Sequence, residues 1–179
     1  AKLKFPGRDK IFLCYLSTMM IPWYVILIPQ FFIMQKLHLY DTHWSLILTG
    51  AFNVFSVFLL RQNMLSIPDS LAEAAKIDGC GPWGIYVKII LPLCKTSLAT
   101  LVVLTFNSVW NDYMGPMIYL DTDSKKTIQL GLATFRRQFD TDYGAIMAGT
   151  TLSLIPVVIL YAVAQKYIVE GIAYAGVKG

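Results

Sequence analysis

The segment Tyr143–Gln165, YGAIMAGTTLSLIPVVILYAVAQ, runs for 23 residues without a charged side chain. As a helix it would be about 35 Å long, enough to cross a hydrocarbon core of about 30 Å. Its apolar residues are continuous and do not alternate every second position, which favours a helix over a barrel strand. Working outward, three more stretches read the same way: Ile11–Gln35, Trp44–Leu60 and Thr96–Leu120. The third is interrupted by Asp112 and by Gly115-Pro116. The whole chain agrees with this reading. Of 179 residues 56% are apolar and 15% charged, and the mean hydropathy is +0.56. A disordered chain is excluded by that apolar content. A soluble domain of this size leaves roughly a third of its unfolded surface wet, which 15 basic and 11 acidic residues would cover poorly. The expected fold is therefore all-α and polytopic, a single transmembrane domain over 1–179 with spans near 11–35, 44–60, 96–120 and 143–165.

Orientation follows from the basic residues between spans. Residues 1–10, 61–95 and the tail beyond Gln165 hold ten Lys and Arg, against five in 36–43 and 121–142. The first set is expected in the cytoplasm. The apolar run after Lys10 is too long for a secretory signal core. Net charge is +4, without a basic run carrying interleaved aromatics, so no nucleic-acid partner is expected. Cys14, Cys80 and Cys94 fall on or near the reducing side and read as free thiols. Trp23, Tyr24, Trp44, Trp110, Tyr113 and Tyr119 lie near span ends and suit interfacial anchoring. Gly144, Ala148 and Gly149 suit close helix packing.

The 61–95 connector does not read as a loop. Ser66-Ile-Pro-Asp69 is a capping-box pattern with Pro68 at the first turn. Leu71–Asp78 has high helix propensity, with Glu73 and Lys76 spaced for an ion pair. Gly79 suits a left-handed helix end. A second helix is expected from Gly81-Pro82 to Ile90, stopped by Leu91-Pro92. Leu71, Ile77 and the 85–91 run are expected to pin this pair against the spans. Ala72, Ala74 and Ala75 keep the first helix slim, and Asp69, Glu73 and Asp78 form an acidic edge. A rigid, slim helix pair outside the membrane suits docking. The alternative is a hairpin lying on lipid, which acidic residues disfavour at an anionic leaflet.

Glu73-Ala74-Ala75, three residues, Gly79, nine residues, Ile89, one residue and Leu91-Pro92 match without a gap the EAA signature of ABC-importer permeases. Ser108-Val-Trp110-Asn111-Asp112, Gly131–Phe135 and Gly171–Gly179 resemble the maltose-type sugar branch of that family. The resemblance covers essentially the whole chain. It implies the last four spans of six, in a bacterial inner membrane, with the coupling loop and C-terminus cytoplasmic. It also implies partners: a second permease subunit, cytoplasmic ATP-binding subunits and an extracytoplasmic solute-binding protein. Glu73, Ala74, Ala75, Asp78 and Gly79 would then be ATPase-coupling residues, and Ala175–Gly179 would lie near the ATPases. One departure is Gly115, where many relatives carry a bulky aromatic before the proline.

Asp112 is the one acidic residue inside an expected span. Burying it in lipid costs about 2.5–3.5 kcal/mol, so it should face a partner or a watery cavity, or lie at the interface and cap a kink. Asn111 beside it adds amide groups, and both are candidate pathway residues. Asn53 is a third, with an interhelical hydrogen bond as the alternative role. In 121–142, Asp121, Asp123, Asp140 and Asp142 balance Lys125, Lys126, Arg136 and Arg137, which reads as a solvated loop that could also touch a binding protein. His38 and His43 carry no expected chemistry. No phosphate-cradling G-x-x-x-x-G-K-[ST], H-E-x-x-H or G-x-S-x-G occurs. The expected function is a non-enzymatic permease subunit for a sugar or oligosaccharide, without cofactor or metal, driven by ATP hydrolysis on another subunit. Alternatives are a permease for a non-sugar solute, an ion-coupled transporter and a silent membrane scaffold.

Overall fold

The computed structural model of the chain describes residues 1–135 and 141–176, with side chains described as far as Lys166. Arg136, Arg137 and Asp140 lie outside the described residues, as do the side chains of the 171–179 ending. The regular elements are helical: α1 Arg8–Ser17, α2 Trp23–Lys36, α3 His43–Gly50, α4 Val54–Ser66, α5 Asp69–Ile77, α6 Pro82–Leu93, α7 Lys95–Trp110, α8 Met114–Tyr119, α9 Ile128–Ala133 and α10 Tyr143–Gly176. Within α10 the stretch Tyr143–Lys166 is long and apolar enough to cross a membrane. Three helix pairs, α1 with α2, α3 with α4, and α6 with α7, pass that test only when joined across a short break. The 143–165 run is thus one helix, and the other three expected spans are divided. Pro22 (φ −58°, ψ 136°) is extended and separates the first pair, since a proline also biases the residue before it away from helix. In 96–120 the break falls at 111–113 and not at Gly115-Pro116. Those two residues sit in the first turn of α8, where a missing N–H has no intrahelical partner to lose.

The chain divides into two compact units. The first comprises 1–18, 54–104 and the described part of 162–179. Its core is Ile67, Ala75, Ile85, Ile90 and Cys94, with Met64, Ala72, Cys80, Ile89 and Leu98 packed on it. Several local expectations are corrected here. Ser66 donates to the carbonyl of Asn63 at 2.8 Å and caps nothing ahead of it; Pro68 holds the N-cap position of α5. Glu73 and Lys76 do not close an ion pair, and Ile77 is 87% exposed, so it pins nothing. Pro92 does not stop the second helix. A π-helical turn over Tyr86–Ile90 widens the backbone just before it, which relieves the clash a proline ring makes with the preceding turn.

The end of α5 follows the expected pattern. Gly79 has φ +81°. Its N–H donates to Lys76 O at 3.0 Å, and the Cys80 N–H donates to Ala75 O at 2.9 Å. These are the two bonds of a Schellman closure, and the Cys80 and Ala75 side chains join the same core beneath it.

The second unit comprises 19–53 and 105–161. The Trp110 indole N–H donates to Ser153 O at 3.0 Å, fastening α7 to α10. A Cβ on Gly149 would clash with Leu132 Cδ2, so α9 and α10 approach closely there. Gly144 and Ala148 are exposed, so only Gly149 of that small-residue group performs the expected packing. Asp142 caps α10 by accepting from Ala145 N–H at 2.9 Å.

Nothing lies within 4 Å of a Cβ built on Gly79, so its constraint is backbone conformation alone. Gly79→Ala should destabilise α5 by about 1 kcal/mol. Gly81→Ala, at φ −71° and in open space, should be neutral. Amide exchange across 74–80 in the two variants checks this; equal protection in both contradicts it.

Candidate coupling and pathway sites

In the first unit the EAA residues divide between two faces of α5. Ala75 is 5% exposed, on the side that packs against Ile67 and Ile85. Glu73, Ala74, Asp78 and Gly79 are exposed on the other side. Beside them stand Leu71, Ile77, Trp83, Tyr86 and Val87, all exposed, with the Trp83 and Tyr86 rings 5.5 Å apart. The expected acidic edge is present but not uniform. Asp69 accepts from Lys2 Nζ at 2.7 Å, and that ammonium holds its carboxyl below the usual range.

In the second unit Asp112 stands in the break before α8, and its Oδ1 accepts from Gly115 N–H at 3.2 Å. A Cβ on Gly115 would lie 2.5 Å from Asp112 Oδ2, so a larger residue there would shift the carboxylate. Asp112 also lines a cavity of about 350 Å³ with Trp23, Tyr24, Thr49, Tyr119 and Thr127 among its walls. The Trp23 and Tyr24 rings meet edge-on at 5.4 Å. Tyr119, 1% exposed, and Thr127 carry buried hydroxyls without a hydrogen-bond partner. Asp112 thus caps the break and lines a hollow.

Asn111 does not join Asp112 at the cavity. Its amide turns back onto Asn107, donating to the backbone oxygen at 2.8 Å and to Oδ1 at 3.0 Å. Gln129 reaches its Oδ1 at 3.4 Å. Asn53 is exposed in the break between α3 and α4 and is not among the residues lining the cavity. The three candidate pathway residues are thus not brought to one place.

The second unit also holds a cluster that sequence reasoning missed. Asp41, at φ +55°, accepts from the backbone N–H groups of Asp121 at 2.9 Å and Thr122 at 3.0 Å. It also accepts from Thr122 Oγ1 at 2.6 Å and from Lys125 Nζ at 2.8 Å. Lys125 Nζ further donates to Asp41 O at 2.6 Å, and His43 Nε2 meets Lys125 O at 2.9 Å. The only local signal was an aspartate in a short polar turn, where left-handed backbone is tolerated. Its partners lie about eighty residues away.

The chain belongs to the family of binding-protein-dependent transport system inner membrane components, whose model matches residues 1–174. It is similar to an arabinooligosaccharides transport system permease protein of Halalkalibacterium halodurans, at 37% identity over 98% of this chain and 63% of that one. A probable ABC transporter permease protein of Bacillus subtilis is 39% identical over 100% of this chain and 60% of its own length. Among solved structures, a bacterial ABC transporter involved in alginate import superposes with a TM-score of 0.80 at 31% identity, over 93% of this chain and 64% of that one. The chain therefore spans less than two thirds of the length of these relatives.

The Lys125 ammonium, the Thr122 hydroxyl and the two backbone N–H groups hold the Asp41 carboxyl far below the usual carboxylate range. A carboxyl depressed in the fold contributes stability in full above the unfolded group's value, near pH 4, and loses it as pH falls through the lower folded value. The clasp should therefore be unchanged from pH 7 to pH 5. Asp41→Asn should speed hydrogen exchange at the Asp121 and Thr122 amides at neutral pH. Unchanged exchange at both amides would remove the role assigned to Asp41.

Proposed function

We infer that the chain is a transmembrane permease subunit of a binding-protein-dependent ABC importer for a sugar or oligosaccharide. ATP hydrolysis takes place on separate cytoplasmic subunits, a second permease subunit completes the pathway, and an extracytoplasmic solute-binding protein delivers the solute. The coupling loop and the C-terminus face the cytoplasm. The relatives named for arabinooligosaccharides and alginate support the carbohydrate class.

The observation that carries this reading is the exposed face of α5 and α6, set on a closed apolar core. A Schellman turn stiffens its tip, and Ile77 and Trp83 stand outward on it, 87% and 76% exposed. Such a face transmits force because it is rigid: displacement of α5 moves Ala75, and Ala75 moves Ile67 and Ile85. Glu73, Ala74, Asp78 and Gly79 are the contact residues in this mechanism. Ala75 serves it from the inside, as the small residue that lets α5 sit close to its core. In the second unit, Asp112 and the aromatic cavity near it are the part of the pathway that meets solute. A carboxylate and hydroxyls beside aromatic faces suit a polyhydroxylated ligand.

The test uses the assembled full-length transporter in vesicles with its binding protein. Ala74→Glu places a charge on the contact face without entering the core, and Gly79→Val strains the tip. Each should lower solute-stimulated ATP hydrolysis by about tenfold or more while the complex still assembles. Ala75→Glu, by contrast, should disrupt folding, because it buries an unpaired carboxylate. Full stimulation by a carbohydrate panel in both Ala74→Glu and Gly79→Val would overturn the docking mechanism. Stimulation by a non-carbohydrate solute alone would overturn the solute class.

A further inference from the structure

The first unit contains a charged link that the coupling mechanism does not use. Residues 1–18 run alongside α4 and α5, and two cations tie them down. Lys2 Nζ donates to the carbonyl of Ile67, the residue two before α5 opens. The same ammonium pairs with Asp69 Oδ1 at 2.7 Å, the first residue of α5. Seven residues along, Asp9 Oδ1 accepts from Arg61 Nη2 at 2.5 Å. The Arg61 guanidinium also sits 4.0 Å over the Phe12 ring. Both cations are largely covered, with 20% of the Lys2 side chain and 16% of the Arg61 side chain exposed.

Two features make this more than surface pairing. Lys2 grips a backbone carbonyl and a side chain on either side of Pro68, and so fixes the entry of α5 where no side-chain cap does. Arg61 lies on α4, one helix before, so the 1–18 segment is held at two points along the chain that leads into α5. A displacement of α5 has covalent routes into α4 and α6. The charged link gives it a third, into the segment that leads to α1.

We propose that Lys2 is a positioning residue that fixes the start of the coupling helix α5 and passes its displacement to the 1–18 segment, with Arg61 and Asp9 as the second fastening. The inference rests on the docking role of α5 proposed above. Lys2 touches neither solute nor nucleotide; it acts through Asp69 and the Ile67 carbonyl. A lysine serves because one ammonium offers three donors that can be shared between a carbonyl and a carboxylate.

The experiment measures solute molecules imported per ATP hydrolysed, in vesicles holding the full-length assembled transporter. Lys2→Met keeps the stem and removes the charge. It should lower the ratio by about two- to fivefold, the range open to a partly exposed pair. Lys2→Arg should keep it near wild type, and the charge swap Lys2→Asp with Asp69→Lys, which restores the ion pair but not the bond to the Ile67 carbonyl, should recover part of the loss. A change in stability alone would alter the amount of complex but not this ratio. An unchanged ratio in Lys2→Met overturns the proposal, as does a swap no better than Lys2→Met. If Lys2→Met does not assemble, the swap decides: recovered assembly and ratio support the link, and their absence overturns it. Gly79→Val, run in parallel, separates the two ideas. If it uncouples while Lys2→Met does not, only the positioning role fails; if neither uncouples, the docking of α5 itself fails.

Discussion

A chain this apolar can interrupt a helix only where something other than lipid takes up the freed backbone groups. That constraint explains the placing of its polar side chains. Where 96–120 breaks, Asp112 accepts the Gly115 N–H. Where the turn after α2 meets the turn after α8, Asp41 accepts two backbone N–H groups. Where the segment between α4 and α5 turns, Lys2 donates to the Ile67 carbonyl. Each of these groups would be costly if unpaired, and the Asp41 and Lys2 bonds double as fastenings between segments distant in sequence.

The same constraint governs the pair α5 and α6. An exposed helix of nine residues is marginal on its own. It persists because Ala75 enters a core with Ile85 and Ile90, and because Gly79 turns the chain so that Cys80 seals the end. The π turn before Pro92 belongs to this scheme as well, since it keeps α6 running far enough to bring Ile85, Ile90 and Cys94 to one side. The element is therefore rigid for reasons lying beneath the face a partner would touch.

Much of this was legible in the residues. Charge-free runs mark where apolar helices must lie, and the glycine at 79 marks a left-handed end whose conformation the structure bears out. The EAA spacing pointed to the right family. The misreadings share a cause. Ser66, Glu73 and Pro92 were each interpreted by their nearest neighbours in sequence, yet their outcomes were set by packing: Ser66 turned back onto α4, Glu73 stayed in solvent, and Pro92 was accommodated by a widened turn. Asn111 and Asp112 are adjacent in the break after α7, but one amide turns back onto Asn107 while the other side chain lines a hollow.

By itself the sequence determined what depends on composition and local conformation: the helical class, the apolar runs, the glycine turn and the family. Hydropathy and backbone preference act over a few residues, so they can be read along a line. Tertiary structure decided which face of α5 looks outward, where the long apolar runs break, and that Asp41 and Lys2 are fastenings. Those outcomes depend on partners tens of residues away, such as Lys125 for Asp41 and Asp69 for Lys2, and a hydrogen bond only a few ångströms long is made only once the fold has brought its ends together.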